Sequence, residues 1–362
     1  MIPELQSKYI IDGVPQEFSP AELLGLSSEE VAVPSGAGIV DETVDPALET
    51  FKWNPRSIES YSSALRTVRW SLPVPFAAVG TRFRMAVALT EAIWRKGHFS
   101  LTDLGLKAAW KWNPAPVGNQ AAFYKSVQAA AEYADSLGVG LSLSDCSFDA
   151  RDCDVSFKAC LSGNPGADEY DTSVPPVLRQ QRGCPDKVQP DFASWLAYIP
   201  FDTSDYRLGG SLLAQSMGMG GGVSPQIQDA DYFMDCYEVV RELVEDGIVM
   251  SGVSVVEGGL LAAAKKLCAG GPGATLDISD AMRAFEEDNA VKVLFAEIPG
   301  VIIQIKDMDF DYVDAEMLLQ DVAWFPLGHP NPKSSAVKVK ASSKSGIQNI
   351  LESLMQNAEG ED

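Results

Sequence analysis

Residues 251–271, SGVSVVEGGLLAAAKKLCAGG, restrict the fold more than any other stretch of the chain. A β-branched half is followed by a half rich in Leu and Ala, with Gly258-Gly259 between them. β-Branched residues suit a strand, Leu and Ala suit a helix, and adjacent glycines permit the tight corner that joins them. This is the layout of a ligand-binding corner. Its chemistry is sparse, however: no histidine, no lysine in the turn, and one carboxylate, Glu257.

The same texture extends on both sides. SWLAYIPF (194–201) reads as a strand closed by Pro200. A helix over 229–246 places Phe233, Tyr237, Val240 and Val244 on one face. Strand IVMSGVSVV, a helix over 258–269 and strand ATLDIS follow; then a helix through DAMRAFEED, strand GVIIQIKDM, helix DAEMLLQDV and strand AWFPLG. Strands alternating with helices predict an α+β (mixed α/β) fold. In the first half, TRFRMAVALTEAIWRKG (81–97) reads as a helix capped by Thr81. GNQAAFYKSVQAAAEYADSLG reads as a second, with Phe123, Val127, Ala130, Ala134 and Leu137 on its buried stripe. GVGLSLS and CDVSFKACL read as strands, and 162–191 as a long loop. Residues 1–60 are short strands and loops around the acidic IVDETVDPALE, and the tail ends in a short helix and NAEGED. The expected division is 1–190, 191–332 and a tail 333–362, with the boundary near 185–205.

Fifty acidic against 28 basic residues give a formal charge of −22. That field repels phosphate backbones and anionic lipid, so neither nucleic acid nor a membrane surface is an expected partner. No window holds the roughly 18 apolar residues of a membrane span. The opening MIPELQSKYIIDG has no basic segment leading into an apolar run, as a signal peptide would. The six cysteines form no C-x-x-C pair, and buried free thiols in a reducing cytoplasm are the expectation.

Candidate chemistry is thin. His98 and His329, the two histidines, have no Ser, Cys or Asp partner at triad spacing. Cys146 has no neighbouring base. SDYRLGGSLLAQ is the stronger signal: Gly209 and Gly210 open a helix, Ser211 stands in its first turn, and Arg207 supplies charge. Exposed amides at such a turn favour an anion. A tight turn that needs small residues explains the same pattern, and both readings stay open here. GMGGGVSP lacks the lysine of a P-loop.

Several segments together resemble one family. RLGGSLLAQ, VVEGGLLAAAKKLCAGGPGATLDI, LFAEIPGVIIQI, FAAVGTRFRMAVALTEAIW and SLTDLGLKAAWKWN are similar, in order and spacing, to segments of formylglycinamidine ribonucleotide synthetase (FGAM synthase). They match the second of its two related halves, each like aminoimidazole ribonucleotide synthetase (PurM-like), over about residues 75–330. The resemblance implies a two-domain module: a barrel-forming N-terminal α/β domain, then a C-terminal α+β sandwich. It implies ATP-dependent amide-to-amidine chemistry in purine biosynthesis, with ATP or ADP and Mg2+ at an auxiliary site and ammonia from a separate glutaminase. It also implies pairing, as a homodimer or with a complementary PurM-like half.

By the same resemblance, Arg207, Gly209, Gly210, Ser211, Glu257, Gly258 and Gly259 are the candidate nucleotide or anion contacts. Other family positions have changed. Ser254 stands where the family has a metal-binding aspartate, and Val256 where a serine contacts nucleotide. Leu89 and Ile93 replace a glutamate and an asparagine on the helix, unless the register shifts by a residue or two. Asp145 replaces a lysine. Mg2+ needs hard oxygen ligands, so these changes lead to the expectation that no nucleotide or metal is held and that no residue here is catalytic. Two functions follow: an FGAM synthase-related module inactive alone, or a degenerate paralogue with a structural or regulatory role.

Overall fold

Residues Leu104–Lys111 alternate along their whole length: Leu104, Leu106, Ala108 and Trp110 are buried, Lys107 and Lys111 exposed. Side chains of a strand point alternately to opposite faces, so the run covers a core on one side and meets solvent on the other. The computed structural model describes residues 2–26, 38–44, 58–68, 71–162, 173–218 and 222–342. The expected tail helix, the NAEGED that follows it and part of GMGGGVSP lie outside them.

In chain order the elements begin with α1 (Pro3–Gln6), β1 (Lys8–Ile11), β2 (Val14–Pro15), α2 (Pro20–Leu23), β3 (Ile39–Glu42) and α3 (Ile58–Ala64). Strand β1 pairs antiparallel with β2 and parallel with β3. Next come α4 (Ala77–Ile93), β4 (Leu104–Lys111), α5 (Asn119–Ser136), β5 (Gly140–Ser147) and β6 (Asp154–Leu161). They form a sheet of order β5-β4-β6, with α4 packed on α5 and on β6. The second half is α6 (Pro176–Arg179), β7 (Trp195–Pro200), α7 (Leu212–Ser216), α8 (Ala230–Glu245), β8 (Val249–Ser254), α9 (Gly259–Cys268), β9 (Gly273–Asp277), α10 (Ser279–Ala284), α11 (Ala290–Phe295), β10 (Gly300–Ile305), α12 (Phe310–Leu319), β11 (Phe325–Gly328), β12 (Pro330–Asn331) and β13 (Val337–Lys340). Its main sheet has the order β11-β7-β10-β8.

That sheet is buried on both faces, and every residue of β10 is inside. Ile199, Val301, Ile303 and Ile305 join a core that includes α4, α5 and α8. Tyr198, Val253, Ile302 and Leu327 join a second core under α9 and α11. The result is the mixed α/β architecture the alternation predicts.

Local readings hold better than boundaries. Helix α4 begins at Ala77, four residues before the expected cap, because the turn Val74–Phe76 leads straight into it. Thr81 is therefore inside the helix. Its hydroxyl donates to Ala77 O at 2.7 Å and meets Ser126 Oγ at 2.6 Å, both buried. Residues 294–297 of LFAEIPG belong to the end of α11 and the bend after it, and β13 extends a small sheet beside β9. The six cysteines are free, and burial pushes the thiols of Cys146, Cys184 and Cys268 up to about 12, 11 and 11. His329 packs its ring 3.9 Å from that of Trp195 and has Nδ1 3.0 Å from Ser194 O.

Candidate functional site

The two glycine-rich corners, far apart in sequence, meet at one carboxylate. The backbone N–H groups of Leu212 and Gly258 donate to Glu297 Oε1 at 2.8 and 2.9 Å. Leu212 opens α7 and Gly258 stands just before α9, so Glu297 satisfies one donor at each helix start. Gly259 has φ +73°, and a Cβ there would lie 2.7 Å from Leu294 O and 2.8 Å from Phe295 Cα. Only glycine lets α9 sit this close to the end of α11. Ser211 caps α7, its Oγ accepting from the Ala214 N–H at 3.2 Å.

Glu297 is buried, and burial, the largest effect, pushes its carboxyl up to about 7. The two backbone donors and Arg84 pull the other way, while Glu257 adds to the rise. Phe76, Phe83, Gly209, Gly210, Ser211 and Glu297 line a slot of about 20 Å³, room for one water. Beside it Glu257 pairs with Arg84 Nε at 2.9 Å.

Arg207 lies apart from this junction. It pairs with exposed Asp205 at 2.7 Å and faces a wider cavity of about 590 Å³ with Asp202, Ser204, Gln228 and Asp229. Asp202 is buried there, accepting from the backbone N–H groups of Ser204, Gln228 and Asp229 at 2.9, 3.1 and 3.3 Å. Burial raises its carboxyl, against those hydrogen bonds.

Residues 203–311 match the family model "AIR synthase related protein, C-terminal domain". The chain is 26% identical over 283 residues to the probable phosphoribosylformylglycinamidine synthase, chloroplastic/mitochondrial, of Arabidopsis thaliana, covering 75% of this chain and 18% of that protein. PurLQS from Thermotoga maritima superposes with a TM-score of 0.51 at 14% identity, over 79% of this chain and 46% of that one. T. maritima PurL complexed with ATP superposes with a TM-score of 0.50 at 13% identity, over 74% and 39%. The chain is related to a PurM-like half of FGAM synthase. It spans under a fifth of the Arabidopsis relative's length.

The positions that the resemblance implies have changed lie in different places. Leu89 and Ile93 are fully buried on α4, in the core. Ser254, also fully buried, accepts the indole N–H of Trp94 at 3.0 Å. Trp94 fills the space beside β8 so closely that a Cβ on Gly252 would lie 2.4 Å from its ring. The Arg182 guanidinium stands 5.4 Å over the same ring, donates to Gly252 O and pairs with Glu91 at 3.4 Å; Lys266 is 3.7 Å from Glu91. Thus the carboxylate nearest the C-terminal end of α4 already faces two cations. Val256 is half-buried, its carbonyl accepting from Gly259 N–H at 3.0 Å. Asp145 is exposed on β5, opposite Ala109 across a bulge, and joins none of these groups. Among the described residues no group of three or more His, Cys, Asp or Glu could hold a metal ion. Two apolar side chains, a hydroxyl spoken for by an indole and a carboxylate paired with cations do not fit a magnesium-nucleotide.

The structure therefore brings together Gly209, Gly210, Ser211, Glu257, Gly258 and Gly259, and leaves Arg207 and Asp145 outside. Sequence reasoning missed three residues that organise the place. Glu297 is the carboxylate inside LFAEIPG, a signal because acids are rarely buried without partners. Arg84 is one of two arginines on a helix whose one other charged residue is Glu91. Trp94 carries no local signal, since its partner is 160 residues away.

Proposed function

We propose that this chain is a non-catalytic FGAM synthase-related module of purine biosynthesis, working beside a chain that supplies the active half. The Trp94–Ser254 hydrogen bond carries the reading, because it puts a packed indole where the resemblance places metal chemistry. The T. maritima PurL relative is complexed with ATP; in this chain the backbone corners persist, with the side chains for Mg2+ replaced. We infer two domains, 1–190 and 191–332: the β5-β4-β6 sheet lies in the first and the β11-β7-β10-β8 sheet in the second, while β13 pairs with β9 from beyond residue 332. A glutaminase and a complementary PurM-like half are the proposed partners in the cytoplasm, and among the described residues no helix is long and apolar enough to cross a membrane.

A complementary half is favoured over a second copy. The solvent face of the β5-β4-β6 sheet carries Lys107 directly opposite Lys158, while Lys111 lies opposite Asp154. Like charges directly opposed across strands are unfavourable, and symmetric pairing through this face would double them.

The test is thermal melting of the pure chain with ADP and Mg2+. No shift beyond the error is expected. A ligand at 100 times its dissociation constant adds about 2.7 kcal/mol, a shift of several degrees at this size. Such a shift would overturn the proposal and return the chain to the nucleotide-binding class.

A further inference from the structure

Helix α12 is apolar on two opposite faces. Inward, Val313 and Met317 are fully buried. Outward, Met308, Tyr312 and Leu319 are 83%, 46% and 75% exposed, and Ala315 between the last two is exposed as well. Met308 belongs to the turn Asp307–Asp309 that leads into the helix. Steps of four, three and four residues place these side chains in one line. Leu318, 79% exposed, lies beside that line on the lip of a cavity of about 430 Å³ that Tyr232, Phe285, Val322 and Phe325 also line. A contiguous exposed apolar patch marks an interaction surface.

The charges around the stripe say what covers it. Residues 307–321 hold Asp307, Asp309, Asp311, Asp314, Glu316 and Asp321 and no lysine or arginine, about three times the acidic density of the whole chain. Asp307 and Asp314 accept the indole N–H groups of Trp195 and Trp324 at 2.9 and 3.0 Å, which pin the helix in place. Asp311 and Glu316 flank the stripe on opposite sides by helical geometry, and neither forms an ion pair among the described residues. The Tyr312 hydroxyl is raised above the usual phenol range chiefly by Glu316, with Asp246 and Glu242 at the end of α8 adding to it. Acids on the neighbouring helix thus face the stripe too.

We propose that the Met308–Tyr312–Ala315–Leu319 face docks an amphipathic helix of another protein, one whose apolar stripe is flanked by lysine or arginine. A second copy of α12 would set carboxylates against carboxylates. The surface stands independently of whether the glycine corners bind nucleotide.

The experiment uses the full chain and a synthetic helical peptide of about 18 residues, with leucines at heptad spacing and lysines on the flanks. A control peptide keeps the leucines and replaces the lysines with glutamates. Fluorescence anisotropy is expected to give saturable one-to-one binding of the lysine peptide and none of the control. Tyr312→Ser and Leu319→Ser should each weaken binding about ten-fold or more, the loss expected for a large side chain at an interface. Both side chains are exposed, so melting should be unchanged. As a second set, Asp311→Lys with Glu316→Lys should transfer the preference to the glutamate peptide. Absent lysine-peptide binding, equal binding of both peptides, indifference to both serine variants, or self-association that Leu319→Ser abolishes would each overturn the proposal.

Discussion

The indole N–H of Trp94 donates to Ser254 Oγ at 3.0 Å, joining the end of α4 to the end of β8 inside the core. Neither group has another hydrogen-bond partner among the described residues. Removing one partner strands the other, and an unsatisfied buried polar group costs about 1–3 kcal/mol. Ser254→Ala should therefore destabilise the chain by that amount in urea unfolding. Trp94→Phe should cost more, since it also opens a cavity. A double-mutant cycle should find the two effects coupled; strict additivity would mean that the bond contributes nothing.

Restoring the family's acids at this place should fail. The Ser254→Asp, Leu89→Glu double variant puts two carboxylates into fully buried positions, the first of them beside the Trp94 indole. Without compensating partners a buried charge is costly. The expected outcome is a loss of about 3 kcal/mol or more that 10-mM-scale Mg2+ with ADP does not recover (roughly, a saturating excess for an ordinary site). Recovery of wild-type melting by Mg2+ alone would mean that the metal cradle survives.

Glu297 sets a pH dependence whose sign is fixed. Its folded-state value, about 7, lies above the ordinary carboxyl value of 4.5. The folded chain then holds a proton that the unfolded chain has lost over that interval. Its contribution to stability is complete below about 4.5 and is lost as pH rises through about 7, on the order of 3 kcal/mol in all. Glu297→Gln keeps an oxygen for the Leu212 and Gly258 donors and removes the titration. Compared by chemical denaturation at several pH values from 5 to 8 (roughly the window above), the variant should gain on the wild type as pH rises. A constant difference between the two would refute the assignment.

Glu42 links the N-terminal sheet to α5. One of its oxygens accepts from the backbone N–H groups of Gly118, Gln120 and Ala121 at 3.0, 3.1 and 3.2 Å. Three donors at a helix N-terminus held by one carboxylate combine capping with the helix dipole. Glu42→Ala should cost about 1–2 kcal/mol, and Glu42→Gln, which keeps an acceptor but not the charge, about half. Hydrogen exchange at Gln120 and Ala121 should speed up in the alanine variant.

The opposed pair Lys107 and Lys158 bears on assembly. Light scattering of the pure chain at tens of micromolar (roughly, a concentration at which specific homodimers form) should report a monomer. Lys107→Glu with Lys158→Glu should leave folding intact, both side chains being exposed. A wild-type dimer that these changes dissolve would restore the second copy as the partner.

The elements themselves were legible in the residues. Strand β7 announces itself by its apolar run closed by Pro200, α8 by its stripe of Phe233, Tyr237, Val240 and Val244, and α9 by its start at Gly258-Gly259, because apolar runs, a periodicity of 3.6 and backbone freedom at glycine are properties of near neighbours. The five segments that resemble FGAM synthase were legible for the same reason. What they could not contain is which side chain answers which. Glu297 finds donors 39 and 85 residues away, and Trp94 finds Ser254 at 160. Arg207, two residues from Gly209, turns to Asp205 and a different cavity. Even α12, with apolar residues on two sides and acids between them, acquired an outward face only when Trp195 and Trp324 held Asp307 and Asp314 and turned Tyr312 and Leu319 to solvent. Local sequence determined the strands, helices and corners. The chain's path through space decided which polar groups are paired and which apolar ones are left exposed, since burial and hydrogen bonding depend on neighbours that only folding brings near.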